Sequence, residues 1–193
     1  MSEVKTNKIS PATGTAFTLG DSGDTFTLPS GVTLTNNGTA SGFGKVLQYA
    51  ISTYTTQTST TSTIPYDGSI PQQTEGIEIL TATITPTSAS SKLLIEFDAP
   101  FTSGNTGMGN VFALFQDSVA DAIVAASSTI MSSTVANQAM LRHYMTSGTT
   151  SATTFKIRWG VTGGTGYINR WDTGTVFGVG TSEAVLKVTE LAV

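Results

Sequence analysis

Cysteine is absent from the 193 residues. Disulfides and thiolate metal sites are therefore excluded, and stability must come from packing, hydrogen bonding or association with further copies. Charge is scarce. Asp, Glu, Lys and Arg make up 11% of the chain, where roughly 25% is usual in soluble proteins. The nine basic residues form no run, and the formal net charge is −4. Association of copies would multiply that negative charge, so nucleic acid is not an expected partner. No stretch approaches the ~18 apolar residues of a membrane span. Met1–Pro11 lacks the apolar centre of a secretory leader, so a soluble protein made in the cytoplasm is expected.

Thr, Ser, Gly and Asn stand where charge is missing. These residues keep a surface wet, and they suit strands and turns better than helices. Met1–Gly14 is polar and carries two lysines. It reads either as a tail or as a docking peptide that orders on a larger assembly.

Residues 15–44 hold short β-prone pieces cut by glycine-rich turns. Phe17 and Leu19 recur as Phe26 and Leu28, and Val32 and Leu34 continue the alternation. Pro29–Gly31 suits a tight turn, because Pro fixes φ and Gly tolerates a positive φ. Asn37–Gly38 is a strong hairpin signal. Each piece exposes two apolar side chains with no partner layer long enough to cover them. Three copies wound together would supply the cover. The expectation is a trimeric β stalk over 15–44; the alternative is an irregular meander on the following domain.

From Lys45 the strands lengthen. "EILTATITP" sets Leu80, Ala82 and Ile84 against Thr81, Thr83 and Thr85. "KLLIEFD" sets Leu93, Ile95 and Phe97 against Lys92, Glu96 and Asp98. "TFKIRWG" and "AVLKVTELAV" alternate in the same way, and "KVLQYAISTYTT" alternates over a long run. Period-two patterning places one face in a core and leaves the other wet or against a neighbour. Several such strands separated by Ser, Thr and Gly predict an all-β fold, with a jelly-roll-like antiparallel sandwich over 45–193. Asp117–Met131 has spacing that fits a short helix, but Ser and Thr interrupt it, and strand plus loop is the preferred reading.

The segments "KTNKISPATGTAFTLGDSGDTFTLPSGVTLTNNGTASGF", "TITPTSASSKLLIEF", "TTSATTFKIRWG", "GYINRWD" and "SEAVLKVTELAV", in this order, resemble tail-fibre-like structural proteins of marine bacteriophages. The resemblance covers nearly the whole chain. It implies a homotrimer with a thin β stalk and a sandwich head, located on the tail or capsid exterior of a virion. The partners it implies are other virion proteins, met through the N-terminus, and a host surface glycan or protein.

Catalytic chemistry finds little footing. His143 is the only histidine, and it alternates with Leu141 and Met145, as a packed histidine would. No G-x-S-x-G elbow is present. Glu96 with Asp98, Asp117 with Asp121, and Asp21 with Asp24 are candidate carboxylate pairs for glycan cleavage, yet strand alternation and turn chemistry account for them. Asp21 and Asp24 match no calcium loop. No catalytic residue, cofactor or metal is expected. Tyr167, Asn169, Arg170 and Trp171 cluster after Gly163, Gly164 and Gly166. Aromatic rings, Asn and Arg serve first as subunit anchors, next as cover for a sandwich edge, and last as a platform for a sugar.

Overall fold

A computed structural model describes residues 22–33, 35, 46–132, 135–170 and 181–193. The chain divides into two units, Met1–Phe43 and Gly44–Val193.

In the first unit the described residues hold turns and no strand. The expected turn is present: Val32 N–H donates to the Pro29 carbonyl at 3.1 Å, and Gly31 takes φ 85°. "DTFTLPS" does not form a strand in the single chain, because no described segment offers it a ladder partner. Phe17, Leu19, Leu34, Asn37–Gly38 and Met1–Gly14 lie outside the described residues.

The second unit is all strand and loop, with no helix among the described residues. Its strands are β1 (Val46–Tyr54), β2 (Thr58–Thr60), β3 (Ile77–Ile84), β4 (Lys92–Ser103), β5 (Gly109–Gln116), β6 (Val124–Thr129), β7 (Asn137–Thr146), β8 (Thr153–Val161), β9 (Gly166–Ile168) and β10 (Ala184–Leu191). Every strand pair is antiparallel. One sheet runs β1-β10-β4-β7, and the other β3-β8-β5-β6. With β2 and β9 set aside, the eight remaining strands read first-eighth-third-sixth and second-seventh-fourth-fifth. That is the strand order of a jelly roll, as the alternation predicted. Short β9 pairs with β4 at Phe101–Ser103, beyond the last β10 contact at Asp98, and β2 pairs with β9.

The core lies between the sheets. Leu93, Ile95, Phe97 and Phe101 of β4 meet Phe112 and Leu114 of β5 and Phe155, Ile157 and Trp159 of β8. Phe112 stacks on Trp159 at 6.3 Å and meets Phe97 and Phe101 at 5.4 Å each. The Trp159 indole N–H is satisfied by the buried Asn110 Oδ1 at 2.8 Å, as a buried indole requires. Asp117–Met131 forms a loop and β6, without helix.

The outer face of β5 is a second, smaller core. Val111, Ala113 and Phe115 are covered by Ile64, which belongs to the β2–β3 connection. That strap is pinned at both ends. Val161 N–H donates to Ser62 O at 3.0 Å, Ile64 N–H to Val161 O at 3.3 Å, and Gly76 N–H to Thr63 O at 2.9 Å. Arg158 adds bonds to the carbonyls of Glu75 and Gly76 at 2.7 and 2.9 Å.

Candidate functional site

Three surfaces and one buried carboxylate have the composition to carry function. The largest surface is the outer face of the β1-β10-β4-β7 sheet. Alternation on β1 turns Gln48, Ala50, Ser52 and Tyr54 inward and Tyr49, Ile51 and Thr53 outward. The strand registers then place Tyr49, Thr189, Leu94 and Tyr144 in one row across the sheet, and Ile51, Lys187, Glu96 and Arg142 in the next. Thr53, Val185, Asp98 and Met140 make a third row. Tyr49 is 64%, Ile51 52% and Tyr144 58% exposed. Val46, Leu47 and Met140 are exposed as well. A bulge between Val46 and Gln48 leaves Leu47 without a cross-strand partner.

Charge runs between these apolar margins. Arg142 Nε lies 3.4 Å from Glu96 Oε1. Lys92 Nζ donates to Thr146 Oγ1 at 2.6 Å, and Gln138 Nε2 to Asp98 Oδ2 at 3.3 Å. Burial, and then the negative charges of Glu183 and Glu96, hold the Asp98 carboxyl above its ordinary value. A shallow depression of about 150 Å³ opens among Asp98, Met140, Arg142 and Lys187. Glu96 and Asp98 do share one strand face, but an Arg and a Gln engage them there.

The second surface surrounds Tyr66 on the strap. Its ring is 78% exposed. Beside it lies a groove of about 340 Å³ walled by Gly107, Gly109, Ser127, Thr129 and Thr162. The strap's next turn is set by Asp67, whose Oδ1 accepts from Ser69 N–H at 2.8 Å; the hydrogen bonds from Ser69 hold that carboxyl below its ordinary range. The groove walls carry hydroxyls and backbone and no formal charge.

The third surface is the Tyr167–Trp171 cluster. Trp171 lies outside the described residues. Tyr167 sits on β9, half-buried, with the Arg170 guanidinium 4.6 Å from its ring centroid. Asn169 is buried at φ 58°. Its Nδ2 donates to Tyr54 O at 2.6 Å and Thr56 O at 3.1 Å, so its polar head braces the end of β1. Gly166 is tightly packed: a Cβ there would stand 2.6 Å from Asn110 Oδ1 and Val161 Cγ1.

Glu190 escaped the sequence reading. Alternation in "AVLKVTELAV" places it on the face of Leu186 and Val188, so the signal was present. It is fully buried. Burial raises its pKa, but hydrogen bonds from Gln48, Ser91 and Thr87 outweigh that and bring it from an ordinary 4.5 to about 2. Gln48 Nε2 donates at 2.6 Å, and Thr87 N–H and Oγ1–H at 2.8 Å each. A carboxylate held this way stays an anion and ties β1 and the β3–β4 turn to β10.

Asp117 and Asp121 each have a hydrogen-bond partner. Asp117, at φ 49°, accepts from Thr154 N–H at 2.8 Å. Asp121 accepts from Gln72 Nε2 at 2.8 Å. Asp21 lies outside the described residues. Among the described residues no group of three or more His, Asp or Glu stands close enough to hold a metal ion. His143 takes the inward side of β7 with Leu141 and Met145, as its spacing predicted.

No family model matches the sequence, and no curated protein matches it. Solved structures similar to this chain include dimeric latent PorU from Porphyromonas gingivalis, with 12% identity, TM-score 0.36, and 82% of this chain and 14% of that chain covered. The infectious bursal disease virus Gt strain structure has 12% identity and TM-score 0.38, covering 77% of this chain and 39% of that one. The VP2 subviral particle of the same virus has 12% identity and TM-score 0.34, covering 76% and 38%. The chain thus spans well under half of each. Likenesses this distant decide nothing about function, and the jelly-roll assignment rests on the strand order itself.

Proposed function

We propose that the chain is a non-enzymatic structural protein of a virion, a fibre or spike that assembles as a homotrimer and takes part in host-surface recognition. The observation that carries the assembly is the uncovered apolar content of the N-terminal unit. Phe26 is 66% exposed, and Leu28 and Val32 are exposed with it. All described residues from Ser22 to Val32 are exposed in the single chain. Side chains of this size gain about 1.5–3 kcal/mol each on full burial, and a segment with no ladder partner among the described residues gains one when copies come together. The jelly roll suits the reading, since it recurs among viral coat proteins and lectins, although fold alone assigns no activity. For recognition, the uncharged groove at Tyr66 offers a ring for stacking and hydroxyls for hydrogen bonding.

The second reading keeps the assembly and changes its place: a capsid-attached fibre or decoration protein docked through Met1–Gly14. The polar, lysine-bearing N-terminus favours it. Light scattering on the full chain tests the assembly; a trimer is expected, and a monomer at all concentrations contradicts it. Imaging of labelled particles separates the two places. A few copies at the tail support the first, and many copies over the shell support the second.

A further inference from the structure

The outer face of the β1-β10-β4-β7 sheet runs against the usual rule for a half-buried strand. On β1 the inward set is Gln48, Ala50, Ser52 and Tyr54, while Tyr49 and Ile51 point outward. In a monomer, a one-residue change of register would exchange the two sets and bury the more apolar one. Beyond the bulge at its start between Val46 and Gln48, the strand has little of the usual guard against edge pairing. It is the end strand of its sheet, nine residues long, with no Lys, Arg, Asp, Glu or Pro. Edge strands left like this template association with further chains.

We propose that this face is where the heads of neighbouring copies of the chain meet. The inference rests on the reading of the chain as self-associating, and it adds that the head contributes through a surface of its own. Its size fits. The exposed side chains of Val46, Leu47, Tyr49, Ile51, Met140 and Tyr144 each offer on the order of 100 Å², together ~600 Å², against ~800 Å² per partner in a standard interface. That total, split over two margins, stands at the upper end of what a typical monomer leaves bare, and patches of that extent are often functional. Its charge also fits a second copy. Lys92, Lys187 and Arg142 share the face with Glu96 and Asp98, so the surface is mixed in sign. A partner of one sign would meet repulsion as often as attraction, whereas a rotated copy brings carboxylates to cations.

The test uses the full chain. Ile51→Glu and Tyr144→Glu place a carboxylate on each apolar margin; Thr83→Glu, on the exposed outer side of β3, is the control. Light scattering across a dilution series reads the assembly, and the emission of buried Trp159 together with far-UV circular dichroism reads the fold. The expected result is a folded protein whose dissociation constant rises about 100-fold or more for each face variant, with Thr83→Glu unchanged. Face variants that assemble as tightly as the parent overturn the inference while leaving assembly itself intact. A monomeric parent overturns the reading beneath it. Ile51→Cys, in a chain with no other cysteine, keeps the test decisive should a charged variant unfold. Maleimide labelling at residue 51 that slows relative to Tyr66→Cys as concentration rises supports the inference, and a rate ratio independent of concentration contradicts it.

Discussion

The two outer faces of the head are built from the same kinds of residue and finished in opposite ways. On the β3-β8-β5-β6 sheet, Val111, Ala113 and Phe115 point outward and are buried, because the strap lays Ile64 over them. On the β1-β10-β4-β7 sheet, Tyr49, Ile51, Met140 and Tyr144 point outward and stay exposed. Among the described residues, then, the chain covers one apolar sheet face and leaves the other bare. The first face is completed within the fold. The second stays bare in the single chain, and its mixed charge and lightly guarded edge suit the copy of the same chain proposed above. Substitutions on the covered face should change the stability of one chain, whereas substitutions on the bare face should change assembly.

The largest effect is expected on the covered face. Ile64→Ala removes the cap over Val111 and Phe115 and should cost about 2–5 kcal/mol, the range for a buried aliphatic cut to Ala. Denaturant unfolding measures this, and a loss as small as that of a surface change would mean the strap is no part of the core. Next comes acid, which acts beneath the bare face through Glu190. Its folded pKa, about 2, lies below its ordinary 4.5. The anion's contribution is therefore complete above about pH 4.5 and drains away as pH falls toward 2. The full contribution is roughly 3 kcal/mol at most. Glu190→Gln should flatten the stability profile across that window, and an unchanged slope would remove Glu190 as its source.

Asn169→Ala is expected to be milder, at roughly 1–3 kcal/mol for two hydrogen bonds, because it removes the bonds to the Tyr54 and Thr56 carbonyls. Those carbonyls end the strand that carries Tyr49 and Ile51, so hydrogen exchange in β1 should quicken before exchange in β8 does. Uniform quickening of both would argue against a local brace. Smallest is Arg142→Ala. Its ion pair with Glu96 is exposed, and such pairs contribute about 0.5 kcal/mol or less. Thermal melts of the full chain, diluted below assembly, should barely move; a large shift there would mean that the pair carries more of the single chain's stability than an exposed ion pair can.

Much of the sandwich was legible in the sequence, for a physical reason. β3, β4, β8 and β10 each bury one face and wet the other, so their alternation is visible along the chain. β5 was not legible, because the strap covers its second face and "NVFALF" reads as a continuous apolar run with no period. The strap itself carries no periodic signal. Asn169 was taken for a surface group among Tyr167, Arg170 and Trp171. The clue to its role is that Asn accepts positive φ, a preference that spacing does not show. The bare face was half visible: alternation in "LQYAISTY" separates Tyr49 and Ile51 from Gln48 and Ser52. The set that turned inward includes Gln48, which binds the inward-facing Glu190 carboxylate across the strand pair. A buried acid three residues from the end of the chain thus helps hold the greasier side of β1 outward.

The most direct measurement is oxidative footprinting of the unmodified full chain, read by mass spectrometry at Tyr49, Tyr144 and Tyr66. All three rings are well exposed in one chain, at 64%, 58% and 78%. At assembling concentrations Tyr49 and Tyr144 should be protected severalfold relative to Tyr66, and the protection should vanish on dilution. Three rings oxidised in proportion to their single-chain exposure, at every concentration, would contradict the claim that copies meet on this face.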